Sequence, residues 1–389
     1  MGAGGPDSME RHAIAPRDGW CGIVEGLGLI WHSEGAEPYW DESAYYSFTL
    51  AEIEAIEESV EELHRLFMEA GNFIMSDLAM LELFGIPDWC REAVRDAWET
   101  DPPSLNYGRF DIGYTGDGPP KLFEYNCDTP TAMLEAAVVQ WEWKEQVFPD
   151  HDQFTSLHEK LIGRWAALRA ELPGQRLWFT HMADPSHEDV ITTTYMRDLA
   201  AQAGLETHAV LIDDIGIDRQ GRVIDQDDQL ISAIFKLYPW EWIVAEDYGR
   251  DIVRHLPRTI WIEPIWKMIW SNKAILQVLW RLFPDHPNLL PASLRPEEMG
   301  PSYVAKPFLA REGANIRVVR DGATIAESEG GYRDGLTLYQ QLYPLRDFGR
   351  GYPVLGCWAV NGEAAGMGIR EDGLITGNRA RFVPHIIRG

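Results

Sequence analysis

The chain has 389 residues, 45% of them apolar, which suits one large domain or two to three ordinary ones around a substantial core. Its formal net charge of -27 argues against nucleic acid or an anionic membrane surface as a partner. No run approaches about 18 consecutive apolar residues, so no membrane span is expected, and four cysteines without a CxxC pair fit a reducing cytoplasm.

Met1 to Ser8 carries neither a charged leader nor an apolar core, so it reads as a cloning remnant or disordered tail and not as a signal peptide. Residues 49–70 give the clearest helix: Thr49 and Glu52 form a capping box, Ile53, Ile56, Val60, Leu63 and Phe67 share a face, and Gly71 is expected to end it. A second helix is expected from about Pro87 to Trp98. Residues 109–112 and 123–126 then alternate as strands, with Gly116-Asp117-Gly118-Pro119 as a turn between them. That hairpin puts Arg109 and Asp111 on one face and brings Asp111 near Glu124 and Asn126. Two carboxylates and an amide oxygen suit a hard cation such as magnesium; spacing alone fits a polar, solvent-facing hairpin equally well.

Thr129 reads as an N-cap and Pro130 as the first helical residue of an apolar, Trp-rich run over 131–148. A helix start with the hydroxyls of Thr129 and Thr131 would suit a carboxylate or phosphate. Residues 177–180, 189–203 and 207–212 read as strand, helix closed by Gly204, and strand, a small α/β unit with parallel strands. A helix over 272–283 places Lys273 in its first turn, and a Pro-rich connection follows over 284–301. From Tyr303 onward short strands and glycine turns dominate, including a hairpin of 316–319 with 324–327 around Asp321-Gly322. Lys306 sits in an otherwise apolar strand, where an ammonium should meet an anion. The Gly-containing loop 311–315 behind it can offer backbone N–H groups to polyphosphate. Only seven lysines occur, so both of these stand out.

Four separated segments carry a family resemblance in the same order: EYNCDTPTAMLEAA from Glu124, SNKAIL from Ser271, YVAKP from Tyr303 and GMGIR from Gly366. From about residue 20 to the C-terminus the chain resembles the glutathionylspermidine synthases, specifically their ATP-grasp synthetase domain. The resemblance implies a mixed α/β, α+β ATP-grasp fold in circularly permuted order, since the metal hairpin precedes the lysines. It also implies a division into a helical region with the hairpin (9–175), a small parallel α/β substrate unit (176–262) and a nucleotide-binding region with a phosphate lid (263–389). No room is left for the amidase domain of the bifunctional members.

The implied chemistry is ADP-forming ligation of a carboxylate to an amine through an acyl phosphate. Magnesium would sit at Asp111, Glu124 and Asn126. ATP would meet Lys273, Lys306 and Gly313 at its phosphates, and Gln340 and Gln341 at its adenine edge. Arg109 and Arg370 would serve the reacting carboxylate and phosphoryl group. Thr129 and Thr131, serines in the usual pattern, would hold the carboxylate substrate, and Glu188 and Asp189 the second substrate. The expected partners are thus a small-molecule carboxylate and an amine, a peptide thiol and a polyamine in the family, with homodimerisation left open. Two other readings stand beside this one: a nucleotide-binding protein without catalysis, and a phosphotransferase acting on a small molecule.

Overall fold

The computed structural model describes residues 8–35, 37–183, 188–332 and 335–388. Apart from Ser8, the segment expected to be a tail lies outside them. An antiparallel five-stranded sheet carries the centre, in the order Arg381–Val383, Glu363–Asp372, Tyr352–Val360, Tyr107–Gly113, Lys121–Asn126. Residues far apart in the chain therefore share one sheet. The last two strands are the expected hairpin, with Asp111 opposite Glu124 and Arg109 opposite Asn126.

The helix Leu50–Met75 packs across this sheet with the expected capping box: Thr49 Oγ1 accepts from the Glu52 amide at 3.2 Å, and Glu52 Oε2 accepts from the Thr49 amide at 2.9 Å. The helix runs past Gly71, contrary to expectation. Glycine is needed there for close approach: a Cβ would lie 2.2 Å from the ring of Trp98, on the helix Asp88–Thr100. Most tryptophans serve the core, and Trp40, Trp143, Trp165, Trp178, Trp240, Trp270 and Trp358 are fully buried.

A second antiparallel sheet has the order Ala292–Ser293, Thr337–Gln341, Tyr303–Pro307, Arg317–Arg320, Ala323–Glu327. A third is parallel throughout: Ile260–Ile262, Ala233–Leu237, Arg176–His181, Glu206–Leu211. Its helix Glu188–Gln202 ends before Gly204, as the sequence suggested. A small sheet of Glu10–Ala13, Ala44–Thr49 and His385–Arg388 ties the two ends of the described chain together. Among the described residues no helix is long and apolar enough to cross a membrane.

Two helix starts fall elsewhere than expected. After Thr129 the chain stays outside helix as far as Ala132, which has a left-handed φ of 65°. Helix begins at 133–134, passes through the π-helix Glu135–Val139 and continues as Gln140–Val147. Thr129 thus caps nothing, because Arg109 and Arg311 claim this stretch for the pocket instead. Lys273 lies in the turn between the helices Lys267–Trp270 and Ile275–Leu282, where its amide donates to Phe308 O at 3.1 Å.

Candidate active site

The three large sheets converge on a cavity of about 490 Å³. Every residue singled out in the sequence lines it: Arg109, Asp111, Glu124, Asn126, Thr129, Thr131, Glu188, Asp189, Lys273, Lys306, Gly313, Gln340, Gln341 and Arg370.

The hairpin forms one wall. Arg109 Nε and Nη2 grip the Asp111 carboxylate at 2.7 and 3.2 Å, while Nη1 donates to Thr131 O at 2.7 Å. Arg370 Nη2 reaches Asp111 Oδ2 at 2.6 Å from the strand Glu363–Asp372, across the intervening strand Tyr352–Val360. Space for the Arg109 side chain comes from Gly356 on the paired strand, where a Cβ would lie 2.8 Å from Arg109 Cδ. Asn126 Nδ2 donates to both Asp111 Oδ2 and Glu124 Oε1, at 3.1 and 3.3 Å. The buried Nε atoms of Arg370 and Arg311 have no hydrogen-bond partner among the described residues. Such guanidinium donors are disposed to take an anion.

The lysines stand against this wall. Lys273 Nζ lies 3.1 Å from Glu124 Oε2 and donates to Ala310 O at 2.6 Å. Lys306 Nζ donates to Gln340 Oε1 at 2.8 Å and to Phe123 O at 3.1 Å. The expected anion for Lys306 is therefore Glu124 acting nearby, with neutral oxygens in direct contact. Burial lowers the Lys306 ammonium to about 8; Lys273 adds to that and Glu124 opposes it. Burial would raise Glu124, but Lys273 and Lys306 outweigh it and hold the carboxyl well below the usual carboxylate range. The Gln340 amide also donates to Leu122 O at 2.9 Å, tying the strand Thr337–Gln341 to the hairpin.

Arg311 crosses the cavity mouth from the loop that holds Gly313, donating to Thr129 Oγ1 at 2.9 Å and Glu241 Oε1 at 2.6 Å. Gly313, with φ 70°, rests against the Thr376 backbone. Beneath Thr129, Asp128 is fully buried against Lys236 and accepts from the Trp240 amide at 2.9 Å. Cys127 is buried too, its thiol pushed up to about 12 by burial, which makes it packing and not a nucleophile.

Sequence reasoning missed several residues. Trp31, Tyr39 and Trp242 line the cavity, and Tyr39 OH donates to the buried Glu135 carboxylate at 2.7 Å. Burial raises Glu135 to about 7, with Glu188 adding to the shift and Tyr39 and Arg109 opposing it. Glu135 was legible only as an acid inside an apolar helical run. Tyr39, 70 residues ahead of Arg109, gave no signal.

No three His, Cys, Asp or Glu side chains gather as a metal cluster among the described residues. Two facing carboxylates and the adjacent Asn126 amide nonetheless give three oxygen donors, a set that fits magnesium, which keeps further positions for water and phosphate. The amide would turn its oxygen inward, an orientation set by the hydrogen-bond network.

A family model described as glutathionylspermidine synthase preATP-grasp matches residues 11–388. The chain belongs to this family. A Haemophilus influenzae protein whose name proposes an acid–amine ligase is 39% identical over 368 residues, covering 91% of this chain and 92% of that protein. Trypanothione synthetase from Crithidia fasciculata is 30% identical, covering 82% of this chain and 53% of that enzyme. The bifunctional glutathionylspermidine synthetase/amidase of Escherichia coli is 28% identical, covering 84% and 56%. The chain thus spans about half the length of these last two relatives. A solved structure of a glutathione synthetase-like effector from Globodera pallida shares the fold, with a TM-score of 0.54 at 13% identity over 95% of this chain and 98% of that one.

Proposed function

We propose that this member of the glutathionylspermidine synthase family is an ATP-dependent ligase joining a carboxylate to an amine through an acyl phosphate, on an ATP-grasp fold of permuted order with residues 176–262 as its small α/β unit. The observation that carries this reading is the convergence of Arg109, Arg370, Lys273 and Lys306 on the two carboxylates of one hairpin. Cations packed so densely around a cavity need anionic ligands beyond Asp111 and Glu124, and a nucleotide triphosphate with a carboxylate supplies them.

In this reading Lys273 and Lys306 offset charge on the α- and β-phosphates, and the loop at Gly313 closes over them. Gln340 and Gln341 border the adenine. Asp111, Glu124 and Asn126 would hold magnesium, which would supply positive charge against the negative charge that develops in phosphoryl transfer. Thr129, Thr131 and Arg109 hold the acceptor carboxylate, and Arg370 steadies the transferring phosphoryl group in line with it. A carboxylate is a poor electrophile at neutral pH, and phosphorylation turns its oxygen into a leaving group. Glu188 and Asp189, where the helix Glu188–Gln202 begins, attract the cationic amine. Two of the relatives are named for glutathionylspermidine and trypanothione synthesis, which makes a thiol peptide and a polyamine the first pair to try. The four cysteines are free, in keeping with a cytoplasmic enzyme.

The deciding experiment crosses thiol peptides and amino acids with polyamines and other amines, reading ADP release and product mass. An amide condensate supports ligation. A phosphorylated compound without condensation would identify a phosphotransferase, and ATP binding without ADP release under any pair would identify a nucleotide-binding protein.

A further inference from the structure

Tyr39 and Glu135 form a pair that the roles above leave unused. Three observations meet at it. The Tyr39 hydroxyl donates to Glu135 Oε1 at 2.7 Å, and both side chains are buried, Glu135 at 5% exposure and Tyr39 at 9%. Tyr39 lines the cavity, its ring centroid 4.6 Å from that of Trp31, which lines it too. Glu135 opens the π-helix Glu135–Val139, just past the left-handed Ala132; the Ala136 carbonyl there accepts from Gln140 Nε2 at 2.7 Å and Thr155 Oγ1 at 2.9 Å. Single π-turns are frequent at functional sites, and a carboxylate buried on one is costly unless it has work to do.

The surroundings say what that work is. Tyr39 and Glu135 feel Glu188 on one side; Arg109 acts on both of them, and Arg370 on Tyr39. The hydroxyl therefore shares one cavity with the arginines assigned to the electrophile and the acid assigned to the amine, and feels the charge of both. An alkyl amine is protonated at neutral pH and cannot attack until it loses a proton. We propose that Tyr39 and Glu135 form the relay that takes this proton. The inference rests on the ligase reading and adds the nucleophile's side of it.

The ammonium gives a proton to the Tyr39 oxygen as that hydroxyl passes its own to Glu135 Oε1. The freed lone pair forms the C–N bond to the acyl phosphate, and the C–O bond breaks with its electron pair leaving on phosphate. Phosphate takes the second nitrogen proton. Tyr39 never becomes a phenolate, consistent with burial and the neighbouring Glu135 raising its hydroxyl well above the usual range. Glu135, raised to about 7, can accept a proton near neutrality and give it back through the Tyr39 hydroxyl, which lines the cavity.

The test compares two nucleophiles on acyl phosphate made from glutathione and ATP: spermidine, a cation at neutral pH, and hydroxylamine, which is uncharged there. Tyr39→Phe keeps the ring and should lower amide formation with spermidine by ~100-fold, leaving hydroxamate formation within about threefold. Glu135→Gln should abolish the rise in amide formation as pH passes through about 7. Amide and hydroxamate falling together would overturn the relay and leave Tyr39 a structural residue. A second measurement needs no substrate: carbon-13 NMR of glutamate carboxyls, with Glu135→Gln to assign the signal, should show titration near neutrality. A Glu135 signal that stays ionised there overturns the proposal. ADP release with no acid–amine pair would fell the ligase reading instead, and the NMR titration would still decide whether this pair can store a proton.

Discussion

Two walls of the same cavity bury charge with opposite consequences. On the side proposed for the nucleotide, burial lowers Lys306 to about 8, and Glu124 nearby is what keeps it cationic at neutral pH. On the side proposed for the acceptor, burial raises Glu135 to about 7, with the Tyr39 hydroxyl and Arg109 pulling against it. Desolvation favours the neutral form in both, so what differs is the company. The lysine sits among carboxylates that hold it charged for an anion. The acid keeps enough opposing charge to titrate near neutrality, as the proposed relay requires. A third buried charge sharpens the contrast: Lys236 pairs with Asp128, which also accepts from the Trp240 amide, and neither lines the main cavity, so the pair fastens the parallel sheet under Thr129.

The largest effect is expected from that third case. Lys236→Met leaves Asp128 buried without its cation, a loss of ~3–5 kcal/mol, read as a lower denaturation midpoint. A stability change below about 1 kcal/mol would show that Asp128 neutralises freely, and the distinction between fastening and functional charge would dissolve.

Glu124→Gln comes next. Its shape is retained, so the fold should stand, while turnover drops at least ~100-fold through loss of a metal contact. ADP release at near-normal rate would remove Glu124 from the metal site and leave it as the lysines' counter-ion alone.

Lys306→Ala should weaken ADP binding, measured by calorimetry, by about 1.5–3 kcal/mol, the size of a charged hydrogen bond, and affect the amine little. The pH dependence has a definite sign. Because the folded pKa lies below the ordinary 10.5, the cost of burying the cation is present below about 8 and relieved as pH climbs above it. Nucleotide affinity should therefore fall through about pH 8 while the fold gains stability. Glu135 runs the other way: with its folded pKa above the ordinary 4.5, the fold loses stability as pH rises towards about 7. An ADP affinity indifferent to pH around 8 would mean that Lys306 does not meet phosphate.

The smallest effect belongs to Thr131→Val, which removes one neutral donor beside Arg109. The KM of the carboxylate should rise roughly fivefold, for a loss of ~1 kcal/mol, with that of ATP unchanged. If the ATP constant moves instead, the stretch from Thr129 to Ala132 holds nucleotide phosphate and the two ends of the cavity exchange roles.

The sequence by itself determined what depends on neighbours in the chain. Alternation at Arg109, Asp111, Glu124 and Asn126 about a glycine turn determined the hairpin and the face that lines the cavity, because strand period and turn chemistry are local. The capping box of Thr49 and Glu52 placed a helix start, and the isolated lysines stood out wherever apolar residues surrounded them. Only the tertiary structure decided the rest. Gly71 is a stop signal locally, yet the ring of Trp98 against it makes it part of the helix. Thr129 has the chemistry of a cap, but Arg311, 182 residues away in sequence, takes its hydroxyl, and the helix starts later. Lys273 sits in a turn that only the backbone of Phe308 explains. The pairing of Tyr39 with Glu135 was invisible for the same reason: an acid's burial, the hydroxyl that meets it and the arginines beyond depend on strands folding together from both ends of the chain, and no local pattern encodes that distance.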